Sequence, residues 1–531
     1  MVSHRRQWVA AFIGIGVLGI TSLPYLMAAR AGGADFVFGG FLLNPLDGNT
    51  YLAKMRLGWQ GEWRFTLPYT SNPGQGTYLF LFYLFLGHLA RFLSLSLSLT
   101  LHLARLLGAA AMLLALYHFL VRILPEERWK LWAFALAALG SGMGWLGLLF
   151  GAFTSDFWVA ETYPFLSAYA TPHFSLGLAL LLILLTPWRA RASGKGLSRA
   201  PIPFILAFAL AIAAPFGVVI ALIVLACLLV WRIGSARGEW RAAIFADPES
   251  LAFRFIGILA GGGPLLVYDL WAARTHPVLA GWNAQNLTPS PPVWDLLLSL
   301  APVILLALPG AWYAVRRKRP GDRLLLAWAG LGLLLLYLPW GLQRRFMMGL
   351  FVPLAGLAAI GLEGWARRLG NRANLAATIV FILALPTNVI VLLAAQHGIQ
   401  TRDPLLYLSR GEAQALAWVS EHTPGDALIL AAPDTGLFVP AHSGRRVIYG
   451  HPFETVNAAS EKAAVTRFFS RSGEEEAQLR SEFLAARGVD YVFFGPRERE
   501  LAGPETLTEL PAAGLSEVYS AAGVTILAVR R

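Results

Sequence analysis

Apolar runs of about 20 residues recur along the whole chain, and each is long enough to cross the hydrocarbon core of a bilayer as a helix. Of the 531 residues, 56% are hydrophobic and 14% are charged, whereas soluble domains carry about 25% charged residues. This composition excludes an ordinary soluble enzyme. Because many apolar runs follow the first, a cleaved signal peptide does not account for them. The sequence therefore predicts a polytopic α-helical membrane protein.

Four short basic segments predict the topology, because lysine and arginine concentrate in the cytoplasmic loops of membrane proteins. The segments are SHRRQ (3–7), RARASGKGLSR (189–199), RRKRPGDR (316–323) and RRLGNR (367–372). Alternating the apolar runs around these loops predicts about 11 transmembrane helices. The N-terminus is then cytoplasmic and the C-terminus lies outside the cell.

Two apolar segments need a special interpretation to keep this alternation. Residues 202–232 form one long apolar run that is interrupted by APFG (214–217), and proline breaks the helical hydrogen-bond ladder. We predict two short helices that turn near Pro215. Residues 78–93 are predicted to lie in the outer leaflet, or to dip into it, without crossing the membrane.

Two domains are predicted. Residues 1–396 form a transmembrane domain with a large first external loop (30–100), and residues 397–531 form an extracytoplasmic α/β domain. From Gln396 onward there are 13 basic and 17 acidic residues, so the net charge of +12 comes from the membrane part. Positive charge in short loops fits anionic membrane lipids as partners, and it gives no reason to expect nucleic acid.

The tail alternates between helical and strand-like segments, which favours helices packed on a sheet. Helices are predicted over GEAQALAWVSEH (411–422) and over 459–487. Strands are predicted at ALILAA (427–432), RRVIYG (445–450), VDYVFFG (489–495) and VTILAV (524–529).

The stretch NPLDGNTYLAKMRLGWQGEW (44–63) follows the first apolar run and has the pattern of a helix lying on the membrane surface. Its apolar residues recur at helical spacing from Leu52 to Trp63. Asp47 stands near its start. An aspartate there commonly caps the helix by accepting backbone N–H bonds, and it can also orient and deprotonate an acceptor hydroxyl or amine. The two roles are compatible.

This stretch resembles the opening motif of the GT-C glycosyltransferases, in the branch of protein O-mannosyltransferases and bacterial aminoarabinose transferases. The matching residues are Asp47, Tyr51, Gly61 and Trp63. The many apolar spans, the large first loop and the external C-terminal region extend the resemblance to the architecture of most of the chain. Where that branch often has Lys-Pro-Pro, this chain has TSNPGQGTYLF (70–80), so the donor and the acceptor stay open.

The resemblance implies an inverting glycosyltransferase of the bacterial plasma (inner) membrane and cell envelope. It would move a sugar from a polyprenyl-phosphate donor to a lipid, glycan or protein acceptor. Asp47 is the implied catalytic base, and Tyr51 and Lys54 on the same helix are expected to bind substrate. Asp35 is the rival base, since its flanking glycines permit tight turns. A solvated loop acid is the alternative for Asp35.

The predicted external loop 152–171 and the residues just after it carry further candidates. Glu161, which lies among aromatic residues, is a candidate catalytic carboxylate, and Asp156 and His173 are candidates for binding substrate. Interfacial anchoring is the alternative for this aromatic loop. A hydrogen bond within the fold is the alternative for the histidine.

An arginine pair in PWGLQRRFMMG (339–349) lies at the predicted outer end of a span, where the positive-inside bias does not favour it. Charges at this depth are costly and usually functional. Because a guanidinium can bond two phosphate oxygens at once, Arg344 and Arg345 are predicted to bind the donor phosphate and to stabilise its departure. Headgroup anchoring and an internal salt bridge are the alternatives.

The sequence contains no His-x-x-x-His or Asp-x-Asp spacing and no Walker loop. We therefore expect no dedicated metal site, no use of ATP and no soluble cofactor, while a divalent metal such as Mg or Mn is not excluded. The polar loop SGRRVIYGHPFET (443–455) is expected either to contact the acceptor or to be a plain connection between strands.

Two other functions stay open at this point: transport or flipping of a lipid or polysaccharide, and a non-catalytic scaffold in envelope assembly. A transporter would carry charges along the centre of its helical bundle. Arg105 and Asp269 are the few such candidates in predicted spans, and this scarcity favours the transferase.

Overall fold

The computed structural model describes residues 4–187, 201–236, 251–339, 341–470, 474–502 and 514–530. The basic segment 189–199, on which part of the topology prediction depends, lies outside the described residues. Within the described residues the chain is mostly helical.

The helices of the first half of the chain are α1 (His4–Ala31), α2 (Pro45–Gln60), α3 (Leu81–Phe92), α4 (Leu97–Ile123), α5 (Glu127–Leu139), α6 (Gly144–Leu148), α7 (Pro164–Tyr169), α8 (Pro172–Leu185), α9 (Pro201–Ala213) and α10 (Pro215–Ser235). Those of the second half are α11 (Leu251–Thr275), α12 (Pro277–Gln285), α13 (Val293–Leu300), α14 (Val303–Arg317), α15 (Pro320–Leu335), α16 (Phe351–Leu369), α17 (Arg372–Leu383), α18 (Pro386–Thr401), α19 (Arg410–His422), α20 (Pro433–Ser443), α21 (Ala458–Ser470), α22 (Glu474–Arg487) and α23 (Pro496–Leu501). Many begin with proline, whose missing N–H costs nothing in the first turn.

The strands are β1 (Phe36–Phe38), β2 (Tyr407–Ser409), β3 (Leu428–Leu430), β4 (Arg446–Val447), β5 (Tyr491–Phe494), β6 (Leu515–Ala521) and β7 (Val524–Val529). β1 and β2 pair antiparallel. The others form one mixed sheet in the order β4-β3-β5-β7-β6. β3 is parallel to both of its neighbours, and β7 is antiparallel to both of its own.

The chain divides into two compact units that each combine distant segments. The first unit contains Met1–Pro24, Leu101–Tyr268 and Thr288–Gln396. The second unit contains Tyr25–Thr100, Asp269–Leu287 and His397–Arg531. The predicted domain boundary at 396 coincides with one of these divisions, and the two-domain prediction otherwise stays untested.

Long apolar helices agree with a multi-pass membrane protein. Among the described residues, six helical segments are long and apolar enough to cross a membrane, or seven if one bent pair counts as a span. The bent pair is α13 and α14, which meet at 85°. The count of about 11 crossings stays a prediction.

The apolar run 202–232 is divided where the sequence predicts. α9 ends at Ala213 and α10 begins at Pro215, while Ala214 has φ −152 and ψ 81, because a residue before proline avoids helical angles. α10 contains 21 residues. The prediction of two short helices is therefore wrong for α10, which is long enough to span a bilayer by itself.

Glycines allow α2 and α3 of the second unit to pack backbone against backbone. A Cβ atom at Gly58 would overlap the carbonyl oxygen of Leu84, and one at Gly87 would overlap that of Met55. α3 has 12 residues, which is about 18 Å of helix and shorter than a hydrocarbon core of about 30 Å. This length agrees with the expectation that 78–93 does not cross.

The predicted segments of the tail have the predicted secondary structure. The strand segments contain β3, β4, β5 and β7, and the segment 411–422 is α19. The stretch 459–487 contains α21 and α22. β6 and the pairing of β1 with β2 were not predicted. Whether the tail is a separate extracytoplasmic domain stays a prediction.

A close helix crossing in the first unit joins α14 to α16, and it generates a prediction about stability. A Cβ atom at Gly310 would overlap the carbonyl oxygen of Leu357, in the manner of small residues at membrane-helix interfaces. We expect Gly310→Val to lower the free energy of unfolding by about 3 kcal/mol or more, because overpacking against backbone cannot relax by a side-chain rotation. Thermal unfolding of the purified protein in one detergent measures this.

Gly330 in α15 provides the matched control, since a Cβ atom there has nothing within 4 Å. Gly330→Val carries the same helix-propensity cost without the overlap. Equal unfolding temperatures for the two variants would contradict the close crossing.

Candidate functional site

Asp47 lies in the first turn of α2, in the second unit. The N-cap residue is Asn44, with φ 50 and ψ 56 and no capping bond from its side chain. The interpretation of Asp47 as the N-cap is therefore wrong. Inside the first turn the helix dipole still favours a negative charge. The Asp47 side chain is 54% exposed, so a carboxylate is presented to the surroundings.

His451, from the polar loop 443–455, faces this carboxylate. Its Nε2 lies 3.5 Å from Asp47 Oδ1, and its side chain is only 2% exposed. Its Nδ1 accepts hydrogen bonds from the backbone N–H groups of Phe453 and Glu454, both at 3.1 Å. The sequence analysis singled out this loop by its turn-rich composition but missed the histidine.

Lys54 is buried, with 1% of its surface exposed. Its Nζ donates to Glu454 Oε1 at 2.7 Å and to Thr50 Oγ1 at 3.1 Å, and it lies 4.4 Å from the ring centroid of Phe80. A buried ammonium whose donors are used within the fold is poorly placed to bind substrate. These contacts link α2 to the loop that carries His451, and they give the predicted binding role of Lys54 no support.

Two more candidates lie in the second unit. The Tyr51 ring stacks on that of Tyr83, with centroids 4.4 Å apart and an interplanar angle of 10°. Asp35 lies in an exposed turn between α1 and β1. The backbone carbonyl oxygen of Asp35 accepts a hydrogen bond from the backbone N–H of Arg410 at 2.7 Å. The Asp35 backbone therefore supports the pairing of β1 with β2. The roles predicted for both side chains stay predictions.

Asp156, in the first unit, is fully buried. Its Oδ2 accepts the Gly144 N–H at 3.0 Å and its Oδ1 accepts the Thr154 hydroxyl at 2.7 Å. Burial raises the pKa of the Asp156 carboxyl, and these hydrogen bonds oppose that rise. The contacts hold the start of α6 in place, and they give the predicted substrate-binding role of Asp156 no support.

A second buried acid that the sequence analysis missed lies beside Asp156. The Ser299 hydroxyl is 2.8 Å from Asp295 Oδ1 and 3.2 Å from Asp156 Oδ1. Asp295 also accepts the Ser155 N–H at 2.9 Å. The spacing of Asp295 and Ser299, four residues apart on α13, was the available signal. These bonds connect α13 to the loop before α7.

Glu161 and the arginine pair come together in the first unit. Glu161 Oε1 lies 3.4 Å from Arg345 Nη1, with side chains 9% and 37% exposed respectively. The Arg344 guanidinium lies over the Trp158 ring, 4.6 Å from its centroid. The internal salt bridge considered for this pair therefore exists for Arg345. Since Arg345 is more than a third exposed, part of its guanidinium also faces the surroundings.

His173 lies in the first turn of α8 and is half-buried. Its Nδ1 is 3.2 Å from the Thr171 hydroxyl, and its ring lies 4.0 Å from that of Phe174. These contacts match the alternative of a hydrogen bond within the fold. A role for His173 in binding substrate stays a prediction.

Among the residues that the structure describes, no group of three or more His, Cys, Asp or Glu side chains is arranged to hold a metal ion. The expectation of a reaction without a dedicated metal site stays a prediction.

No protein-family model matches the chain, and no curated protein matches it in sequence. Solved structures do match its fold. The oligosaccharyltransferase AglB from Archaeoglobus fulgidus, in complex with an inhibitory peptide and a dolichol-phosphate, aligns with a TM-score of 0.55 at 15% identity, over 100% of this chain and 75% of that chain. The A. fulgidus oligosaccharyltransferase tethered to an acceptor peptide aligns with a TM-score of 0.53 at 15% identity, over 97% of this chain and 74% of that chain.

ArnT from Cupriavidus metallidurans, bound to undecaprenyl phosphate, aligns with a TM-score of 0.50 at 12% identity, over 98% of each chain. These proteins are GT-C membrane glycosyltransferases. At such low identity the similarity concerns the fold, and it extends over nearly the whole chain. The chain therefore has the fold of the GT-C superfamily, as the motif around Asp47 predicted.

Proposed function

We propose that this protein is a glycosyltransferase that moves a sugar from a polyprenyl-phosphate donor to an acceptor at the extracytoplasmic face of the plasma membrane. The observation that carries the proposal is the half-exposed Asp47 carboxylate in the first turn of α2. The GT-C fold supports sugar transfer as the reaction class. A buried Asp47 in the same fold would have had no access to an acceptor.

In the proposed reaction Asp47 acts as the base. Its carboxylate accepts the proton of an acceptor hydroxyl or amine as that group attacks the anomeric carbon. The bond between the anomeric carbon and the phosphate oxygen breaks, and the lipid phosphate leaves with the electron pair. Attack opposite the leaving group inverts the anomeric configuration. The proton ends on the carboxyl group of Asp47.

The arginine pair is proposed to hold the donor phosphate. The exposed part of Arg345 carries N–H groups suited to phosphate oxygens, and Glu161 at 3.4 Å orients the guanidinium. Arg344 lies against Trp158, which limits the conformations of its long side chain. Polyprenyl phosphates in the solved AglB and ArnT complexes support a donor of this class. Glu161 stays the second candidate carboxylate.

The acceptor is a lipid, glycan or protein in this proposal. The acceptor peptide in the A. fulgidus structure supports a peptide at a coarse level. Transport has less support, because the buried Arg105 donates to the backbone carbonyls of Thr21 and Ala168 at 3.1 and 2.9 Å. This arginine joins helices of the first unit, as a structural residue does.

The topology that the proposal requires places 30–100 and 397–531 outside the cytoplasm. In a Cys227→Ser background, Glu421→Cys should react with a membrane-impermeant maleimide in intact spheroplasts, because Glu421 is exposed on α19. Arg319→Cys, in a predicted cytoplasmic loop, should react only after permeabilisation. The reverse pattern would refute the orientation and with it the proposed site of transfer.

Asp47→Asn tests the base. The amide keeps the size of the side chain but removes its charge and basicity, so the protein should fold while transfer falls by about 100- to 10,000-fold. Transfer is measured in membranes supplied with radiolabelled undecaprenyl-phosphate sugars. Asp35→Asn is the matched control in the same unit and should retain wild-type transfer. If Asp35→Asn abolishes transfer and Asp47→Asn does not, the base has been assigned to the wrong acid.

Arg345 is tested by binding of undecaprenyl phosphate to purified variants at fixed salt in one detergent. Arg345→Ala should weaken binding by about 10- to 150-fold, since it removes a charge-assisted hydrogen bond. Arg345→Lys should also weaken it, because lysine lacks the planar fork.

The control for Arg345 is Glu161→Gln, which removes the ion pair but keeps the guanidinium. Its binding should stay close to wild type, because the amide oxygen of glutamine can still accept the Arg345 N–H and orient the guanidinium. A loss in Glu161→Gln equal to that in Arg345→Ala would show that the pair serves the fold alone. Wild-type binding by the lysine variant would instead indicate simple headgroup anchoring.

A further inference from the structure

The loop that carries His451 is held in place within the second unit. The Thr455 N–H donates to the His451 carbonyl at 3.0 Å, which closes a tight turn. Asn286 Nδ2 donates to the Phe453 carbonyl at 2.7 Å, and Gln285 Nε2 donates to the Thr455 carbonyl at 2.6 Å. The Lys54–Glu454 pair adds a buried contact to α2. The imidazole therefore projects from a fixed backbone.

Hydrogen bonds determine which ring nitrogen of His451 carries the hydrogen. Nδ1 accepts two backbone N–H groups, from Phe453 and Glu454. A nitrogen that accepts N–H bonds carries no hydrogen itself, so the ring is neutral with its hydrogen on Nε2. His451 is thus a donor at Nε2.

The Nε2 atom of His451 lies close to the Asp47 carboxylate. The side chain is 2% exposed, and Oδ1 of Asp47 lies 3.5 Å away. Among the described residues Nε2 has no completed hydrogen bond. A buried N–H needs an acceptor, and shortening this distance to about 2.8 Å completes a charge-assisted bond. Catalytic hydrogen bonds are often long before substrate binds.

We propose that His451 is a positioning residue for Asp47. Its Nε2–H holds Oδ1 and so fixes the orientation of the carboxylate that takes the proton of the acceptor. His451 itself neither gains nor loses a proton. This inference rests on the proposed function of Asp47, and it adds a residue from the C-terminal region to the reaction.

Two substitutions separate positioning from loop structure. In His451→Asn the amide oxygen can replace Nδ1 as acceptor for the loop N–H groups, but no donor reaches Asp47. In His451→Gln the longer side chain can place its amide N–H near the position of Nε2, while the loop acceptor is lost. If His451 positions Asp47, His451→Asn should lower kcat by about 10- to 100-fold with little change in KM for the donor. His451→Gln should recover most of that loss.

The assay uses membranes from cells expressing each full-length variant, with a panel of radiolabelled undecaprenyl-phosphate pentoses and hexoses. Thermal unfolding of the purified variants is measured in parallel. If His451 only maintains the loop, the effects of the two substitutions should be reversed: His451→Asn should be active and His451→Gln should be unstable. Either that reversal or wild-type kcat in His451→Asn would overturn the inference.

A double substitution tests whether His451 acts through Asp47. Adding His451→Asn to Asp47→Asn should cost little more than Asp47→Asn alone, because the carboxylate to be positioned is absent. If the double variant instead loses activity by the product of the two single losses, the inference is overturned, while the assignment of Asp47 as the base still stands.

Nitrogen-15 NMR of histidine-labelled protein provides a readout that needs no donor. The difference between wild-type and His451→Asn spectra should contain one neutral ring with its hydrogen on Nε2. A hydrogen on Nδ1 would refute the positioning role even if transfer is established. Absence of transfer from every donor, with the expected ring form present, would contradict the proposed function instead.

Discussion

The bilayer interior offers no hydrogen-bonding partner to the backbone, and this constraint dominates the structure. A chain that enters it must satisfy its N–H and C=O groups within helices, so the long apolar segments are helical. Helices in lipid have little hydrophobic reason to associate and depend on close packing. Gly310 provides that packing in the first unit, where α14 and α16 approach until a Cβ atom would not fit.

In the second unit, glycines also allow two helices to pack closely, and here the packing positions a candidate site residue. Gly58 and Gly87 bring α2 against α3, and this contact sets the position of the helix that carries Asp47. Buried Lys54 then links α2 to Glu454 in the tail. A buried ion pair is costly to form but destabilising to break, so it favours one arrangement of the loop relative to α2.

Exposure distinguishes the acids of this chain. Asp156 is buried, and its oxygens accept hydrogen bonds from Gly144 and Thr154, which hold the start of α6. Asp47 is half-exposed, and the buried imidazole of His451 lies beside it. An exposed carboxylate is suited to accept a proton from an incoming group. Composition alone does not separate these two aspartates.

The sequence by itself determined the class of the protein, the long helices, the break at Pro215 and the strands β3, β4, β5 and β7 of the tail. These features follow from local hydrophobic period, apolar length and proline geometry. It also indicated the GT-C fold, through a few residues around Asp47. Only the tertiary structure decided that Asp47 lies beside His451, that Lys54 forms a buried ion pair with Glu454 and that β1 pairs with β2. Asp47 and His451 are about 400 residues apart, and such contacts come from packing among distant segments, which no local pattern encodes.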